Sequence, residues 1–303
     1  MTNNSFLTKL AKNVPLADLT TFGIGGPAKL FTSVCSNEEL IETIKKTREN
    51  SLKFFILGGG SNVLIADRGF AGLVIKTNNN NIKKKANLVA AQSGARLSEL
   101  VKFAADNRLS GLEHLWGIPG TVGGAIAGNA GAKNSWIGQV TATVKVLNLN
   151  NQLITLGQKD CQFDYRTSRF QNSQEIIVEA VFKLTPATPE EIAQKQDFFI
   201  DLKSNQPREK SAGSVFKNPP GDSAGRLIDQ AGLRGQKVGD AQISPQHANF
   251  IINTNRASRA SAQDVLALMR LAQKEVLARF QIKLKPEIKL IGFTKPEIAD
   301  IIK

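Results

Sequence analysis

Cysteine, histidine and tyrosine are nearly missing from this chain. Its 303 residues hold two cysteines, Cys35 and Cys161, and two histidines, His114 and His247. Two isolated cysteines make no disulfide framework, and two histidines make no multi-histidine metal centre, so no metal is expected. A single tyrosine gives single-stranded nucleic acid little to stack on. The opening segment MTNNSFLTKLAKNVPLADL lacks a continuous apolar run, so no signal peptide is expected. The long uncharged stretch at 117–132 is too poor in large side chains to cross a bilayer. A cytoplasmic protein without membrane insertion is therefore expected.

What is present is ordinary in amount and unusual in placement. The length suggests about two domains. A hydrophobic content of 41% beside 21% charged residues fits a globular chain with a sizeable core. The net charge of +13 attracts polyanions, either nucleic acid or small anionic ligands. The basic residues are scattered, and the one compact run, NNNNIKKKANL at 78–88, reads as a polar hairpin loop between two strands.

Periodicity gives the outline. Ser36 with Glu39 forms a capping-box pattern that opens a helix through NEELIETIKKTREN. LKFFIL and GLVIKT read as strands, and so does NLVAAQSGA, which leads into a helix with Leu97, Leu100, Val101, Ala104 and Ala105 on one face. VTATVKVLNLN and QLITL read as strands flanking Asn150-Asn151, followed by a strand at EIIVEAVFKLT. A boundary falls near Pro186, and Thr188, Pro189 and Glu191 start a polar helix reaching about Ser204. Beyond it come a short helix ended by Gly232, a strand at HANFIIN, and a long helix from about Ser261 to Phe280. Two short strands are expected around Pro286.

Two glycine patches demand explanation, ILGGGSN at 56–62 and GIPGTVGGAIAGNAGA at 117–132. A P-loop needs Lys and Ser/Thr after its last glycine, and neither patch has them. GIGGPA at 23–28 matches a dinucleotide fingerprint only formally, because Pro27 interrupts it and a strand, KLFTSV, follows. Two readings remain. The patches are either backbone nests closing on a large anionic cofactor, with Ser61 and Asn62 adding side-chain donors, or turn chemistry at strand crossings.

These segments resemble a known family. TTFGIGGPA, LGGGSNVLI and GIPGTVGGAIAGNAGA are similar to the flavin-binding segments of UDP-N-acetylenolpyruvoylglucosamine reductases. The likeness continues through FDYRTSRF, AGSVFKNP, AGRLIDQAGLRG, AQISPQHANFIIN and KPEIKLIG, nearly the whole chain, in the manner of the family's shorter type. It implies an α+β protein: a two-lobed FAD-binding domain of the vanillyl-alcohol-oxidase/PCMH type at 1–75 and 76–188, then an α+β substrate domain at 189–303. It implies noncovalent FAD, NADPH as reductant, and UDP-N-acetylglucosamine enolpyruvate as the substrate reduced to UDP-N-acetylmuramate for peptidoglycan synthesis. Gly58, Gly59, Gly60, Ser61, Asn62, Ile118, Pro119, Gly120, Thr121, Gly123, Gly124 and Ala125 would line the flavin.

The same resemblance assigns chemistry. Arg166 matches the arginine that steadies negative charge on the substrate carboxylate, a task suited to a permanent, forked cation. Ser214 matches the proton donor to C2, and Glu287 the group that holds the enol. Tyr165, Lys217 and Asn218 are candidate substrate contacts, whereas His114 and His247 are expected to be structural. The chain departs from many relatives at Lys133-Asn134 and at Lys285. The rival readings are an FAD-dependent sugar or alcohol oxidase on the same fold and a basic nucleic-acid-binding protein. A monomer or weak oligomer without nucleic acid is expected.

Overall fold

The structure is a computed structural model describing residues 4–254 and 260–302. The chain divides into two compact units. One comprises Met1–Phe31, Gly60–Val74 and Asn205–Lys303, and the other Thr32–Gly59 and Ile75–Ser204. We call them the terminal and the middle unit.

The middle unit is built on five antiparallel strands in the order Leu153–Gly157, Thr141–Leu147, Ile176–Lys183, Leu88–Gln92 and Ile82–Lys85. The helix Leu97–Asp106 lays Leu97, Leu100, Val101 and Ala104 into a core shared with Val89, Ala91, Val144, Ala180 and Phe182. Each large apolar side chain buried there contributes about 1.5–3 kcal/mol. The helix Pro189–Asp201 starts as its sequence requires: Thr188 and Glu191 exchange both capping-box hydrogen bonds, and proline occupies the first turn. The helix Asn37–Glu49 has half of its expected box. Ser36 Oγ accepts from Glu39 N, but the Glu39 carboxylate reaches past Ser36 to accept from Cys35 N at 2.7 Å.

In the terminal unit, four antiparallel strands run in the order Lys210–Ser214, Phe250–Asn253, Ala241–Ile243 and Lys237–Val238. The helix Ala262–Phe280, capped by a reciprocal Ser261–Asp264 box, buries Val265, Leu266, Met269, Ala272 and Val276 in a core with Leu227 and Ile228 of the helix Ala224–Gln230. Lys289–Ile291 pairs in parallel with Val63–Ile65. Segregated helices and mostly antiparallel strands make the protein α+β.

Two local expectations are corrected, and one helix stands where the sequence reading named none. The lysine run is not a loop: Ile82–Lys85 is itself a strand, with Lys85 opposite Leu88 and the turn confined to Ala86 and Asn87. It forms the sheet's edge, where lysines discourage pairing with another chain. Next, the stretch at 117–132 contains the helix Val122–Gly128, although three of its seven residues are glycine. Burial of Val122, Ala125 and Ile126 overrides a propensity cost of about 1 kcal/mol per glycine. Finally, only one strand, Lys289–Ile291, follows Pro286, which itself makes an isolated bridge to Phe216. Proline brings no N–H to extend a ladder there.

Candidate functional site

In the middle unit the two glycine patches meet. A Cβ on Gly59 would stand 2.6 Å from Gly120 Cα, and one on Gly58 would stand 2.4 Å from Thr121 Oγ1. Neither glycine has a positive φ, so lack of space, not backbone conformation, requires glycine at both positions. The Thr121 hydroxyl is buried and has no hydrogen-bond partner among the described residues. A buried hydroxyl left in that state is costly unless something else engages it. Part of the patch serves the fold: Val122 N donates to Ala95 O at 2.9 Å and Gly123 N to Ser93 O at 2.8 Å. Ile118 N donates to Leu115 O and Ala125 N to Thr121 O, while Pro119 and Gly124 are exposed.

A lysine missed by sequence reasoning stands at this patch. Lys76, near the end of the strand Phe70–Thr77, directs Nζ onto the Gly58 carbonyl. Burial, and then the nearby Arg96 guanidinium, push its pKa below the ordinary lysine value. The signal was a lone charge closing the apolar run GLVI.

Arg166 occupies a tight turn. Asp164 and Thr167 exchange backbone hydrogen bonds at 3.1 Å in both directions, leaving Tyr165 and Arg166 at the tip. Arg166 has φ +53°, a left-handed conformation uncommon for a residue with a Cβ and frequent at functional sites. Its guanidinium donates to Gly131 O at 2.7 Å and lies 5.7 Å from the Tyr165 ring centroid. Tyr165 is exposed.

The remaining expected residues belong to the terminal unit. Gly60 has φ +67°, and a Cβ there would meet Leu19 O at 2.2 Å. Asn62 fastens this loop to the segment carrying Glu287. Its side chain donates to Glu287 O at 3.3 Å, and its carbonyl accepts from Lys289 N at 3.0 Å. Ser61 is half-buried. Ser214 ends the strand Lys210–Ser214, whose register against Phe250–Asn253 shifts between Ser211 and Ser214. Gly213 stands at φ +75°, and a methyl added to it would meet nothing within 4 Å, so there glycine answers to conformation alone. Such bulges re-aim the next side chain.

Beyond the bulge, residues 215–217 run antiparallel to 285–287. Glu287 N donates to Val215 O at 2.8 Å and Lys217 N to Lys285 O at 2.9 Å. Ser214, Lys217 and Glu287 are thus brought onto neighbouring segments, all half-buried. Asn249, which sequence reasoning also missed, holds the strip: its side chain accepts from Phe216 N and donates to Phe216 O. Asn218 is exposed, and its side-chain oxygen accepts from Ala224 N at the start of a helix. Lys289 is half-buried, its pKa lowered by burial and by Lys217.

The histidines lie elsewhere. His114 is buried, and loss of hydration pushes its pKa down to about 4 despite Glu113 beside it. Lys203 donates to the His114 and Trp116 carbonyls, and burial lowers its own pKa to about 8. His247 Nδ1 accepts from Asn249 N, and its ring lies edge-on to Phe250. The Cys161 thiol is buried, with its pKa pushed up to about 11. No helix among the described residues is long and apolar enough to cross a membrane.

Comparison with known proteins bears on the same segments. Residues 28–157 match an FAD binding domain, and residues 206–291 match the C-terminal domain of UDP-N-acetylenolpyruvoylglucosamine reductase. The UDP-N-acetylenolpyruvoylglucosamine reductase of Caldicellulosiruptor saccharolyticus is 42% identical over 93% of this chain and 91% of its own length. That of Carboxydothermus hydrogenoformans is 43% identical over 93% of each. The crystal structure of the enzyme from Thermus caldophilus superposes with a TM-score of 0.81 at 36% identity, covering 93% of this chain and all of that one. With two glycine patches packed backbone to backbone, a serine placed by a bulge, and this likeness along nearly its whole length, the chain belongs to the UDP-N-acetylenolpyruvoylglucosamine reductase family.

Proposed function

We propose that the protein reduces UDP-N-acetylglucosamine enolpyruvate to UDP-N-acetylmuramate with NADPH, using noncovalently bound FAD. The observation that carries this reading is the placement of Ser214 and Glu287 on zipped neighbouring segments, in a chain of this family. FAD suits the residues present. The buried Thr121 hydroxyl has no hydrogen-bond partner among the described residues and can engage a polar group of the cofactor, beside backbone left bare by the neighbouring glycines. Gly58, Gly59, Gly60, Ser61, Asn62, Ile118, Pro119, Gly120, Thr121, Gly123, Gly124 and Ala125 are the proposed contacts. Because the Val122 and Gly123 amides are engaged with Ala95 and Ser93, Gly123 would contribute close approach and not a donor. When bound, FAD supplies the hydride carrier between NADPH and the enolpyruvyl group.

The chain's own groups handle charge and protons. Arg166 grips the enolpyruvyl carboxylate and stabilises the negative charge that develops as C3 is reduced. Ser214 Oγ then delivers a proton to C2 on one face, which fixes the stereochemistry. Glu287 holds the developing enol by a hydrogen bond, in which its carboxylic acid form is the donor. Tyr165, Lys217 and Asn218 bind the rest of the substrate, with Lys217 as a point charge for its anionic groups. The protein is proposed to work in the cytoplasm as a monomer or weak oligomer.

Steady-state turnover tests this reading. FAD-reconstituted protein should consume NADPH beyond one equivalent per flavin only when the enolpyruvyl sugar is added, and the sugar product should gain two hydrogens. NADPH consumption that instead tracks oxygen, with the sugar unchanged, would favour an oxidase.

A further inference from the structure

The middle unit holds a half-buried cation that the proposed chemistry does not use, and it sits at the glycine patch. The ammonium of Lys76 rests on the carbonyl of Gly58. A peptide unit is planar and trans, so its carbonyl and the following N–H point in opposite directions. Fixing the Gly58 carbonyl toward Lys76 therefore fixes the Gly59 amide to point away from it.

The peptide between Gly58 and Gly59 needs such a restraint. Both residues are glycine because Thr121 and Gly120 leave no space for a Cβ. The same lack of Cβ atoms removes the steric preferences that normally hold a peptide plane in one orientation. Packing thus demands two glycines, and two glycines leave the plane between them free to turn over unless a side chain holds it.

Lys76 also has an uncomfortable setting, lowered in pKa by burial and by the Arg96 guanidinium. An apolar side chain would fill the strand position without that cost, so the charge has a use there. Resting on the flavin reading above, we propose that Lys76 is a positioning residue that locks the Gly58–Gly59 peptide so that the Gly59 amide is preset to donate to the anionic part of FAD.

The test is FAD titration of the apo-protein, followed by flavin fluorescence, for wild type, Lys76→Met and Lys76→Arg. The methionine variant should bind FAD about tenfold more weakly, equivalent to about 1.4 kcal/mol. Its apo-protein should melt within about 2 °C of wild type, a margin worth about 0.5–1 kcal/mol for a unit of this size. Arginine, which restores a charged donor, should return affinity to within about threefold. The methionine defect should persist in about 1 M salt, where the Debye length is about 3 Å and long-range attraction is lost.

Equal affinity of Lys76→Met and wild type would overturn the proposal. So would a defect that vanishes in high salt, because Lys76 would then act only as a distant charge. A matching collapse of apo stability, with no rescue by arginine, would reduce Lys76 to a support of the fold. Failure of the wild type itself to bind FAD would overturn the flavin reading, and this proposal with it.

Discussion

Ser214 and Arg166 owe their positions to unusual backbone. Ser214 follows Gly213 at φ +75°, and Arg166 itself stands at φ +53°. If Ser214 is the proton donor, Ser214→Ala should leave flavin reduction by NADPH near wild type and slow reoxidation by the enolpyruvyl sugar by roughly 10²–10⁴-fold, the usual range for a lost general acid. Rapid-mixing absorbance separates the two steps, and a defect in reduction would remove Ser214 from that role. His114 makes a different prediction, about stability. In the unfolded chain it takes a proton near 6.5, whereas in the fold it stays neutral down to about 4. Below pH 6.5 the unfolded state therefore binds the extra proton, so stability falls as pH drops from 6.5 toward 4, by on the order of 2–3 kcal/mol. Urea unfolding at stepped pH should show this slope, and His114→Gln should flatten it.

At the scale of elements, the glycine patches are a packing solution before they are a binding surface. Gly59→Ala places a methyl 2.6 Å from Gly120 Cα, which should cost about 1–3 kcal/mol as overpacking and abolish tight FAD retention. Gly128→Ala is the control. It is helical with nothing within 4 Å, and should be neutral or stabilise by up to about 1 kcal/mol; thermal melts of both variants decide. The same contrast explains what the sequence made legible. Thr188-Pro189-Glu191 and Ser261 announce their helices because caps are local chemistry. Val122–Gly128 was hidden because its helical state comes from burying Val122 and Ile126, which no local propensity reports. The lysine strand Ile82–Lys85 was hidden likewise, since an edge position is a property of the sheet. The roles proposed for Arg166, Ser214 and Glu287 come from motif resemblance alone. Lys76 and Asn249 were not legible, because their roles are hydrogen bonds to backbone distant in sequence.

For the whole molecule, the charge of +13 has a use in the proposed reaction, since FAD, NADPH and a UDP-sugar are all polyanions. Electrostatic attraction of this kind weakens as salt shortens the Debye length from about 10 Å at 0.1 M. The kcat/KM for NADPH should therefore fall with ionic strength while kcat changes little, and a salt-independent kcat/KM would assign the charge to something else. The central claim is that one flavin links two separate half-reactions in this chain. The most direct measurement is anaerobic absorbance of the FAD-loaded protein, first with one equivalent of NADPH and then with UDP-N-acetylglucosamine enolpyruvate. The account predicts bleaching of the oxidised flavin band by NADPH and its full return with the enolpyruvyl sugar, without oxygen. Bleaching that persists after the sugar is added would contradict it.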